Sequence, residues 1–126
     1  VITGCLVGDS LRAGSVFEPR HLRIRRITRL NLSAGAVSGQ PQIWTVIDFE
    51  AEDHDGHDVD GLAEELAACL SAEGGWYADF ATDDERVVVF AGKVFRFPRG
   101  DEAGRAEAVA YGRSVGVPDH QLDWRD

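Results

Sequence analysis

Residues 76–100 read WYADFATDDERVVVFAGKVFRFPRG and hold four of the six Phe, one of the three Trp and one of the two Tyr in the chain. Apolar side chains fall in two runs, 76–81 and 87–97, separated by Thr82-Asp83-Asp84-Glu85, which has the polar composition of a hairpin connection. The two runs are therefore expected to pair antiparallel in the core sheet. Val87, Val88 and Val89 are β-branched and consecutive, which predicts a central strand covered on both faces. Gly92-Lys93 then suits a two-residue turn of type II′, making 94–97 a third, short strand closed by Pro98 and Gly100. One long strand bulged at Gly92 is the alternative.

Upstream, the pattern changes from continuous apolar runs to the helical period. Leu62, Leu66, Cys69 and Leu70 share one face of a helix expected over 59–72, with Asp58 or Asp60 as N-cap and Gly74-Gly75 as stop. Downstream, Asp101 is placed to cap a second helix to about 115, with Ala103, Ala106, Val109, Ala110 and Arg113 on its inner face. Leu122 and Trp124 in the tail are expected to dock on the body.

The clearest alternation lies at 42–50, where Ile43, Thr45, Ile47 and Phe49 share one side of a strand and Trp44, Val46, Asp48 and Glu50 the other. With the first set turned to the helices, Trp44 and Val46 need cover from the N-terminal segment or from a second copy, which predicts a homodimer through the Trp44 face. Before it, 20–29 carries five arginines and no acid. Leu22, Ile24, Leu30 and Leu32 share a parity that Ile27 breaks, so a strand with a bulge near Arg25-Arg26 is expected. These guanidinium groups either pair across to the acidic strand that follows or clamp an anion; Arg23, Arg25 and Trp44 are the ligand-binding candidates.

With 126 residues the chain makes one domain, 1–126, large enough for a core without metal or disulfide staples. Its 22 acids against 13 Lys and Arg give a net charge of -9, which disfavours nucleic acid and anionic membranes as partners. Two cysteines, Cys5 and Cys69, are too few for a disulfide framework. No apolar run approaches the ~20 residues of a membrane span. Ile2-Thr3-Gly4-Cys5 imitates a lipoprotein cleavage box but follows no apolar region. A cytoplasmic location is the expectation.

No stretch carries a diagnostic catalytic or cofactor motif. Gly8-Asp9-Ser10-Leu11 after an apolar run resembles the nucleophile block of the GDSL hydrolases, yet the partner blocks that such chemistry needs are missing: the single Asn is Asn31, and Val117 stands three positions before His120. In the acidic segment 50–60, Asp53, Asp55 and Gly56 partly match a calcium loop, but Ala51, Asp58 and Leu62 occupy positions that the ligand set needs otherwise. His54, His57 and Asp58 have no specific metal spacing. No metal and no cofactor are expected.

The segments WYADF, VFRFPRGD and YGRSVGVPDHQLDW resemble a group of small, uncharacterised bacterial proteins over most of the chain. That resemblance implies a domain family and no particular activity. The element order β-β-α-β-β-(β)-α predicts an α+β fold, a mostly antiparallel sheet with two helices on one face, as a ferredoxin-like relative. Scattered ionisable residues point to a binding domain for a small molecule or a protein partner. The alternatives are a small cofactor-independent enzyme of the dimeric α+β type, using Asp79, Tyr77, Arg96, Tyr111 and His120, and an acidic inhibitor or immunity-like protein.

Overall fold

A computed structural model of the chain describes residues 1–19, 21–31, 40–52 and 58–124. Six strands form one open sheet: β1 (Ile2–Val7), β2 (Leu22–Asn31), β3 (Ile43–Ala51), β4 (Ala78–Ala81), β5 (Glu85–Phe90) and β6 (Lys93–Pro98). Their spatial order is β2-β3-β1-β4-β5-β6 and every neighbouring pair is antiparallel. Helix α1 (Asp58–Cys69) joins β3 to β4, and α2 (Glu102–Ser114) follows β6. Since β3 and β4 both run antiparallel to β1, which lies between them, β3-α1-β4 is a split β-α-β unit threaded by the N-terminal strand.

The expected hairpins form, with one shift at the second. Phe90 pairs with Lys93, so the turn is Ala91-Gly92 rather than Gly92-Lys93. Gly92 has φ +70° while Ala91 stays at negative φ. The left-handed residue thus stands second in the turn, the reverse of the type II′ pattern expected. In β2 the register shifts between Ile24 and Arg26, placing the bulge at Arg25.

The two helices lie on opposite faces, which corrects the expectation of two helices on one face. Val87 and Val89 belong to one core with Ile2, Leu6, Phe49, Phe80 and the α1 residues Val59, Leu62, Ala63 and Leu66. Val88 and Phe90 belong to a second core with Phe97, Ala108 of α2, Val117, Leu122 and Trp124. Because alternate side chains of a strand point to opposite faces, a β5 apolar at every position from Val87 to Phe90 needs cover on both sides, and each helix supplies one. All of Val87, Val88 and Val89 are completely buried.

Helix α2 also packs through a different stripe from the one expected. Of the expected inner face Val109 does pack against the second core, but Ala103, Ala106, Ala110 and Arg113 are exposed, whereas Ala108 and Gly112 are buried. A Cβ on Gly104 would lie 2.6 Å from Phe97 Cβ, and one on Gly112 2.7 Å from Leu122 Cδ2. Gly104, Ala108 and Gly112, four residues apart, form the flat strip that lets the helix backbone approach the aromatic layer. Tyr111 then stacks against Phe90 and Phe95, with ring centroids 5.0 and 5.4 Å away.

Helix α1 stops at Cys69, before the expected end, because Leu70 enters a β-bridge with Leu11 and the Ser71 amide donates to the Ser10 carbonyl. Ser10 itself is completely buried and its hydroxyl donates to the Val7 carbonyl at 2.5 Å. It is a bonded core group, not an exposed nucleophile. Among the described residues no helix is long and apolar enough to cross a membrane.

Candidate functional site

Among the described residues, the sheet face that carries α2 is covered over its β5–β6 end and along the docked tail. Beyond the tail, the side chains of Cys5 and Val7 (β1), Trp44 (β3) and Asp79 (β4) form a floor. Register explains their company: Cys5 lies opposite both Asp79 and Asp48, and Val7 opposite Val46, one position pair from Trp44 on the same face. Trp76, Tyr77, His120, Gln121 and Asp123 wall this floor into a cavity of about 250 Å³. A second, more polar concavity of about 460 Å³ continues along the same face, lined by Thr3, Arg25, Arg26, Asp48 and Arg86, and shares Cys5 and Asp79 with the first.

The aromatic wall is built within the chain. Trp44 is 9% exposed, meets Trp76 edge-on with centroids 5.0 Å apart, and donates its Nε1–H to the Pro41 carbonyl at 2.8 Å. This corrects the expectation of a Trp44 face awaiting a second copy: residues far along the chain cover the indole. On the opposite parity of that strand, Ile43 is 45% exposed whereas Phe49 is buried.

The rim is tied by polar contacts between remote segments. Gln40 and Gln121 exchange amide hydrogen bonds of 3.1 and 3.0 Å, and Gln40 Nε2 also donates to the Gly74 carbonyl at 2.7 Å. The Tyr77 hydroxyl donates to the Gln121 carbonyl. Tail, β3 entrance and the 74–77 segment are thus one frame.

Asp79 is the electrostatic centre. Arg86 Nη1 donates to its Oδ2 at 3.1 Å, and the Arg86 side chain is 9% exposed. Burial still raises the Asp79 carboxyl to about 6; Arg86 opposes the rise, and Asp123 and Asp48 add to it. One buried guanidinium does not repay the loss of water around the carboxylate. Burial, with Asp79 and Asp48 adding, pushes the Cys5 thiol up to about 12. Tyr77 is likewise raised, by burial first and then by Asp79 and Asp123.

Of the residues singled out from the sequence, Trp44, Tyr77, Asp79 and His120 line the first cavity. Arg96 and Tyr111 lie elsewhere. Arg96 is on the α1 face, where its guanidinium donates to both Glu85 carboxylate oxygens, at 2.6 and 3.0 Å, and to Asp60 at 2.5 Å. Those bonds to Glu85 raise Arg96 and lower Glu85. Tyr111 is part of the α2 aromatic layer. Arg23 pairs with Glu50, Arg26 with Asp48 at 3.1 Å, and Arg25 stands 3.8 Å from Glu50, so the arginine strand is bridged to the acids of β3. His54 and His57 lie outside the described residues.

Cys5, Trp76, Arg86, Gln121 and Asp123 were not legible as site residues. Arg86 had a signal: hairpin pairing across Thr82–Glu85 puts it diagonal to Asp79 on one face. The others meet only through the third dimension. No family model, curated protein or solved structure matches this chain.

Proposed function

We propose that the chain is a binding domain for a small molecule, received in the aromatic-walled cavity over β1, β3 and β4. One observation carries this: Trp44, Trp76 and Tyr77 stand around the half-buried Asp79 in a concavity that remains open to solvent. A largely apolar lining with one or two fixed polar groups is the usual composition of a ligand site. At about 250 Å³ it is just below the common range of about 300–1,000 Å³, so the ligand is small.

A cofactor-independent enzyme is the second reading, favoured by Asp79 alone, since a carboxyl raised to about 6 is tuned for general acid–base work near neutrality. The split unit around β1 supports a ferredoxin-like relationship, from which α2 on the opposite face departs. For a homodimer, the supporting surface moves from Trp44 to the β2 edge, where Ile24 and Ile27 are each 57% exposed.

Ligand-observed NMR with a panel of small cationic, neutral and anionic fragments, followed by amide shift mapping, tests the proposal. Shifts are expected at 5–7, 44, 75–79 and 120–123. Fragments that bind only elsewhere, or none that binds, would refute it.

A further inference from the structure

We propose that the ligand of this cavity is a small organic monocation, a protonated amine or a quaternary ammonium, held between the rings of Trp44, Trp76 and Tyr77 and the carboxylates of Asp79 and Asp123. This rests on the small-molecule reading above and adds the ligand's charge and class.

The lining has the two components that recognise an organic cation, and among the described residues its only basic side chain is His120. Three aromatic rings line the cavity, and the negative quadrupole of such a ring attracts ammonium groups most when water is displaced. Asp79 and Asp123 supply the counter-charge, and no Lys or Arg is among the described residues around the cavity. Arg86, the cation that pairs with Asp79, lines the neighbouring concavity instead. Asp79 keeps 20% of its side chain open, so its carboxylate is reachable.

Burial first, and then the Asp79 charge, acts on the other ionisable groups of the site. Asp79, Cys5 and Tyr77 all hold their protons more tightly than in water, and after burial the next contributor to Cys5 and to Tyr77 is the Asp79 charge. A negative potential over a cavity floor disfavours an anionic ligand and favours a cation, and the chain's net charge of -9 steers cations toward it. Small size and an aromatic wall select a compact onium or amine over a hydrated metal ion, which would need several converging oxygen ligands.

The test compares choline, its neutral tert-butyl analogue and the matching tert-butyl carboxylate, which share shape and differ in charge. Tryptophan fluorescence and amide shifts are followed at neutral pH. Choline is expected to bind at Trp44 and Trp76 about tenfold more tightly than the neutral analogue, with no binding of the carboxylate. Asp79→Asn should weaken choline about tenfold more than it weakens the neutral analogue. Asp123→Asn is the companion variant; Asp123 is exposed, so the fold tolerates the change. Equal or tighter binding of the neutral or anionic compound overturns the cation assignment and leaves the small-molecule site standing. Failure of all three to move these residues overturns it too, and the fragment map then decides separately whether the site stands.

Discussion

Replacing Asp79 with Asn should change how stability depends on pH in a way that separates burial from ion pairing. Its carboxyl rises from an ordinary 3.8 to about 6 in the native state. The native value lies above the unfolded one, so the folded protein binds this proton more tightly. The stability that protonation adds is complete below the unfolded value and is lost as pH rises through the native one. Linkage then gives the wild type about 1.4 kcal/mol more stability at pH 5 than at pH 8 from this group, tending to about 3 kcal/mol at lower pH. Asn cannot titrate, and whatever its loss of the Arg86 contact costs is common to both pH values. The quantity to measure is therefore the difference in unfolding free energy between wild type and Asp79→Asn, by urea titration at pH 8 and pH 5. It should move by about 1.4 kcal/mol in favour of the wild type on acidification, a relative midpoint shift of roughly 1 M at an m-value of about 1.5 kcal/mol/M. Parallel profiles, or a difference that moves the other way, would show that the Arg86 pair governs Asp79 and that burial does not hold its proton.

Gly104→Ala should lose about 1–3 kcal/mol in chemical denaturation despite an intrinsic helix gain of about 1 kcal/mol, because the new methyl meets Phe97; a net gain would mean that α2 stands off the sheet. Trp44→Ala should cost about 3–5 kcal/mol in the same assay, as for any buried aromatic, and an unchanged midpoint would mean that the indole is not packed within the chain. Arg96→Ala should cost no more than about 1 kcal/mol, shrinking with added salt, because its pairs with Glu85 and Asp60 are at the surface; a larger, salt-insensitive loss would contradict this. Light scattering at high micromolar concentration should give a dimer mass for the wild type and a monomer mass for Ile27→Lys, whereas monomer mass for both would remove the β2 edge as a contact.

Local chemistry made much of the fold readable along the chain. Alternation announced β3, continuous apolar runs announced β4 and β5, Gly92 announced the last hairpin, the broken parity in the arginine run announced the bulge at Arg25, and the leucine spacing announced α1. Each of these is decided by neighbours a few residues away, through backbone sterics or side-chain alternation. Even the charge pairing of β2 with β3 was visible, because adjacent strands of opposite charge compensate one another.

What the sequence left open is set by which layer each element joins. The run Val87-Val88-Val89 demanded cover on both faces, but nothing local says that α1 takes one and α2 the other. The sheet order decides it, since threading β1 between β3 and β4 lets α1 cross one face while α2 returns over the far end of the other. That same threading brings Cys5 beside Asp79, turns Trp44 toward Trp76, and sets Asp123 and Gln121 at the rim. A site assembled from β1, β3, β4 and the tail has no spacing that a linear pattern could carry, because its members are neighbours only through strand register and the docking of the tail.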